Sequence, residues 1–160
     1  MAAVLGYLAR DVVAGTGMGI LAGTWLSVGL VLFRSPPGAI SDALGLLLLV
    51  AGAAMCVPAA GALTGKLVPA AMLFTTAIRF AVTGVFELTA SATWERIAGV
   101  VGIVLAVLAL YAATAMLLED VRRVTVLPVL RCGEGKTSIT GNLEAQLAKL
   151  EREAGVREQL

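Results

Sequence analysis

LVPAAMLFTTAIRFAVTGVFE, Leu67 to Glu87, is almost wholly apolar over a length that crosses a bilayer. A hydrocarbon core of about 30 Å needs about 20 residues at 1.5 Å each. Near the middle of the run stands Arg79. A guanidinium in hydrocarbon costs about 2.5–3.5 kcal/mol on insertion scales, so it is kept where a partner or water receives it. Thr75, Arg79, Thr83 and Glu87 recur every four residues, which places them on one slowly drifting stripe with Thr76 beside it. One reading of the stripe is a pathway for an organic anion, because the planar fork of arginine donors matches a carboxylate. The other is structural: the threonine hydroxyls bond back one turn, and Arg79 pairs with Glu87 or with carbonyls of a neighbouring helix. A bridge from Arg79 to Glu87 would have to cover two turns, about 12 Å along the axis.

Working outward, Ala14 to Phe33, Ala43 to Leu63 and Ile97 to Leu118 are also long enough to span. The whole chain is 59% hydrophobic and 14% charged, with a mean hydropathy of +0.93. Soluble domains hold about 25% charge. The expectation is an all-α, polytopic transmembrane helical bundle (residues 1–128) with four full spans and a partial N-terminal helix. Residues 129–160 are expected to form a cytoplasmic tail with an amphipathic helix over about 143–154. The links RSPPGAISD, TGK and SATWER are short, and Pro-Pro-Gly is a turn signal. MAAVLGYLA is too short to span and lacks the basic start and cleavage site of a signal peptide. It reads as the end of a helix that begins upstream, with about 40 to 60 further residues expected there.

Lys and Arg cluster at one set of span ends: Arg10, Lys66 and the tail with Arg122, Arg123, Arg131 and Lys136, against Arg34 and Arg96 at the other. By the positive-inside rule both termini are expected in the cytoplasm, with the chain in the cell (inner) membrane. Gly15, Gly19 and Gly23 stack on one face of the first span and would let a neighbouring backbone approach. Pro58 should kink the second span, whereas Pro69 falls in the first turn of the third, where no hydrogen bond is lost.

The charge pattern gives nucleic acid no basic surface to bind. With no His and only Cys56 and Cys132 at different depths, no metal-ligand spacing and no disulfide framework appear. CGEGKTS in the tail imitates a phosphate loop, but the Walker pattern requires Gly at the position of Leu130. No membrane-embedded Ser, His and Asp set, aspartyl pair or zinc motif suggests an enzyme, so no catalytic residue and no cofactor is expected. Asn142 reads as the N-cap of the tail helix, in which Leu143, Leu147, Leu150 and Ala154 share a face and Gly155 is the stop.

Ala98-Gly99, Gly102, Ala109-Leu110-Tyr111 and, 14 residues after that tyrosine, Thr125-Val126-Leu127-Pro128 resemble the end of the acetate uptake transporter family, the succinate and acetate permeases. LGYLARDVVAGTGMG resembles that family's junction between its second and third spans. The resemblance covers about Val4 to Pro128, and the four spans match the family's third to sixth. It implies a carrier or channel for small carboxylates such as acetate and succinate, assembled as a homo-oligomer, a hexamer if family-like. The family's first helix, with its Asn-Pro-Ala-Pro signature, has no counterpart here, which the resemblance explains either by a start that lies upstream or by a shortened paralogue. Trp25 falls where members place an aromatic, which implies a constriction of the substrate pathway. Members carry an apolar residue at the position of Arg79, so Arg79 inherits no role. The expected pathway residues are Trp25, Thr75, Arg79 and Thr83. The alternative is a non-transporting membrane assembly subunit in which Arg79 and the glycine face are structural.

Overall fold

A computed structural model describes residues 1–122 and 124–133. The described residues form five α-helices in sequence: α1 (Ala2–Leu8), α2 (Val12–Arg34), α3 (Asp42–Ala62), α4 (Leu67–Thr89) and α5 (Ala92–Arg122). The last four are long and apolar enough to cross a membrane. At 31 residues, α5 runs about 46 Å, longer than a bilayer core, so its ends project beyond it. The tail helix expected over 143–154 lies outside the described residues.

Each helix start and stop has a local cause. The α1 helix ends in a left-handed residue, Arg10, with φ 58°. The Arg10 and Asp11 N–H groups donate back to the Tyr7 and Gly6 carbonyls at 3.0 and 2.9 Å, the double closure of a Schellman motif. Asp11 then caps α2, its carboxylate accepting from the Ala14 N–H at 2.8 Å. The Pro-Pro-Gly turn uses a left-handed Gly38, φ 79°. Ser41 caps α3, and the N–H of Ser41 itself donates to Glu87 Oε2 of α4 at 2.9 Å. Glu87 therefore plays from another helix the part that a carboxylate three residues downstream plays in a capping box.

The helices pack as sequential neighbours, with α3 and α4 forming the closest pair. Their approach is set by small residues. A Cβ on Gly45 would stand 2.9 Å from the Gly84 carbonyl oxygen, one on Gly84 would stand 2.7 Å from that of Gly45, and one on Gly52 would stand 2.9 Å from that of Ala77. Side chains cannot be accommodated there, so the two backbones are in contact. Leu44, Leu48, Met55, Leu73 and Phe80 fill the seam around them. Pro58 lies inside α3 and is buried.

Beyond α5 the chain doubles back over the α3–α4 turn. The first N–H groups of α4 need acceptors, and Lys66 supplies no side-chain cap. The returning strand supplies them: the Leu67 N–H donates to the Leu130 carbonyl at 3.1 Å and the Val68 N–H to that of Val129 at 3.4 Å. Lys66 and Arg131 form an antiparallel β-bridge. Val129 is buried, the Tyr111 hydroxyl donates to the Pro128 carbonyl at 2.8 Å, and Arg131 pairs with the buried Glu119 carboxylate. Residues 128–132 thus fasten three helix ends together.

Candidate functional site

Arg79 sits half-buried near the middle of α4, on the side packed against α5. Gly102 of α5 makes room for it: a Cβ at that position would stand 3.1 Å from Arg79 Nε. The Arg79 Nη1 group donates to the Thr83 hydroxyl at 2.7 Å, and that hydroxyl donates to the Arg79 backbone carbonyl at 2.7 Å. One threonine thus folds the guanidinium back along α4. The remaining guanidinium N–H groups find no acceptor among the described residues. Glu87, the nearest acid on the stripe, is occupied at the start of α3, so the pairing of Arg79 with Glu87 that the spacing allows is not made.

The other stripe residues are satisfied locally. Thr75 and Thr76 hydroxyls donate to the Ala71 and Met72 carbonyls at 2.8 and 2.9 Å, leaving their oxygens able to accept. Thr76 is buried, whereas Thr75 and Thr83 are half-buried. The structure brings Arg79 and Thr83 together, with Thr75 one turn before Arg79 on α4. Trp25 stands on α2, 62% exposed, and no contact among the described residues joins it to Arg79.

The glycine series of α2 divides along its length. Gly15 meets α1: a Cβ there would stand 2.9 Å from the Tyr7 ring, and one on Gly6 would stand 2.7 Å from the Gly15 nitrogen. The Tyr7 and Thr16 hydroxyls share a hydrogen bond of 3.0 Å beside this contact. A Cβ on Gly19 would stand 3.9 Å from that of Ala3, an ordinary contact, and Gly23 faces open space. Gly17, between Gly15 and Gly19 in the chain, is buried toward Leu73 of α4.

Three features of the site went unread in the sequence. Gly102 is a glycine among many, and its pairing with Arg79 depends on the α4–α5 register. Gly45 and Gly52 are separated by seven residues, as are Ala77 and Gly84, which places each pair on one face. That matched spacing was a usable signal. The Glu119–Arg131 pair joins residues on α5 and the returning strand, and nothing local marks it.

The chain matches no family model, no curated protein and no solved structure.

Proposed function

We propose that this chain is a subunit of a membrane transporter or channel for small carboxylates such as acetate and succinate, and that Arg79 attracts the anion. The observation that carries this reading is a half-buried guanidinium near the middle of a membrane-length apolar helix, whose only side-chain partner among the described residues is Thr83. A cation placed there faces lipid, a second protein surface or a polar passage, and the first is the costliest. The α4–α5 face around Arg79 is accordingly a surface to be covered in a homo-oligomer or wetted in a pathway; the Thr75 and Thr83 hydroxyl protons are given to the Ala71 and Arg79 carbonyls, so the attraction for an anion comes from the guanidinium. In low dielectric the attraction for a carboxylate is strengthened, while the competing Thr83 hydrogen bond keeps release possible.

The second reading is an assembly subunit without transport. The same Thr83 bond favours it, since Arg79 and Thr83 close on each other within α4. Flux of acetate and succinate into proteoliposomes, measured with melting on the same samples, separates the two. Under the transport reading Arg79→Gln remains inserted and oligomeric but loses flux, while Arg79→Lys retains part of it by keeping charge without the fork. Normal flux in Arg79→Gln, or flux lost only in step with melting, assigns Arg79 to structure.

A further inference from the structure

A cavity of about 320 Å³ opens between α2, α4 and α5 at the end of the bundle that carries the α3–α4 turn. Arg79 does not line it. Its depth follows α2 from Asp11 to Leu21, ten residues or about 15 Å along the axis. Val13, Gly17 and Leu21 of α2 face Met72 and Leu73 of α4, with Met116 of α5 on the remaining side. The charged residues of the lining, Asp11 and Lys66, both lie at one end. An apolar shaft with a charged mouth at the membrane surface has the polarity of an amphiphile entering tail first.

The charges at the mouth select the head. The Asp11 carboxylate caps α2 through the Ala14 N–H, and Arg131 across the β-bridge is paired with Glu119. The Lys66 ammonium has no hydrogen bond or ion pair among the described residues. Burial, and next the Arg131 charge, pull its pKa below the ordinary lysine value, with Asp11 opposing. A negative head beside Lys66 would offset both effects. The volume lies at the lower end of the ligand-pocket range of about 300–1,000 Å³, room for one alkyl chain.

We propose that this cavity is a binding site for a single-chain carboxylate, a medium-chain fatty acid whose head pairs with Lys66 and whose tail runs between α2 and α5 against α4. Neither the site nor its occupant depends on Arg79.

Laurate binding to the purified full chain in a neutral detergent tests the proposal, with dodecanol (tail without charge) and acetate (charge without tail) as controls. Saturable binding of one laurate per chain is expected, with both controls weaker by about tenfold or more. Lys66→Gln should weaken laurate to the level of dodecanol, and substitution of Met18, which also lines the cavity, by tryptophan (Met18→Trp) narrows the shaft and leaves Lys66 in place, so it should weaken laurate and dodecanol together. Arg79→Gln should bind laurate like the parent even if it loses flux, which separates this site from the transport reading. Equal laurate binding by the parent, Lys66→Gln and Met18→Trp would overturn the proposal, because the fatty acid would then only partition into the micelle. A co-purified anionic phospholipid that excess laurate cannot displace, or a parent that binds laurate only after its oligomer is dissociated, would overturn it in favour of a membrane lipid or a second copy of the chain.

Discussion

Ala90 ends α4 in the left-handed region, φ 51° and ψ 25°, with its N–H bonded to the Phe86 carbonyl at 2.8 Å. Its side chain is exposed, so nothing is gained by keeping it. Left-handed geometry costs an L-residue about 1–2 kcal/mol, and glycine returns about 0.4–1 kcal/mol of that as extra entropy in the unfolded chain. Ala90→Gly is therefore expected to stabilise the protein by about 0.5–1 kcal/mol, read as a higher melting temperature in detergent; an unchanged or lower one would show that the α4–α5 turn relaxes without strain. At Lys66 the sign is set by a lowered pKa. Burial, then Arg131, disfavour the charged form in the folded state against an ordinary value of 10.5. The resulting destabilisation is full below the folded-state pKa and is relieved as pH rises toward 10.5. Lys66→Gln should consequently melt no lower than the parent at neutral pH, and its advantage should shrink on the approach to pH 10.5. A growing advantage would reverse the assignment. These two residues also differ in legibility. The cationic mouth could be suspected from a lone lysine in the TGK link, whereas an alanine in left-handed geometry has no sequence signal, since glycine is the residue expected there.

Between elements, the α3–α4 pair depends on positions where no side chain fits. A Cβ on Gly52 would stand 2.9 Å from the Ala77 carbonyl oxygen, so Gly52→Val must push α4 away or rotate it. In a membrane, where lipid tails are as apolar as leucine, close backbone packing is much of what holds helices together. Gly52→Val is expected to lower the melting temperature sharply and to broaden size-exclusion profiles. Gly23→Val, at a glycine that faces open space, serves as the matched control and should change neither. Equal behaviour of the two would mean that α3 and α4 are held by the Glu87–Ser41 cap and the returning strand instead. The spans themselves were readable because a long apolar run needs no partner to be recognised, only length. Which glycine face meets which helix was not, because Gly15, Gly19 and Gly23 show as regular a spacing as Gly45 and Gly52. Spacing describes one helix, while contact requires the crossing of two. The returning strand was hidden for the same reason: its bonds join residues near 130 to residues near 66, a pairing without local periodicity.

At the scale of the molecule, the two ends of the bundle differ in charge. One end gathers Arg10, Lys66, Arg122 and Arg131 with Asp11, Glu119 and Asp120; the other carries Arg34 and Arg96 with Asp42, Glu87 and Glu95. The β-bridge between Lys66 and Arg131 places the α3–α4 turn and the chain beyond α5 at the same end. If the positive-inside rule governs insertion, that end faces the cytoplasm, and the native cysteines report on it. Cys56 is exposed on the apolar surface of α3, and inside a bilayer it should resist a water-soluble thiol reagent. Cys132 lies in the strand at the basic end, its thiol donating to the Leu63 carbonyl at 3.0 Å. A membrane-impermeant maleimide should therefore modify Cys132 in inverted vesicles and leave it unmodified in intact cells. A cysteine placed at Ala39, exposed in the loop after Pro-Pro-Gly at the opposite end, should show the reverse. Exchange of the two patterns would invert the topology and place the mouth of the Lys66 cavity outside the cell, while labelling of Cys56 from either side would require water along α3.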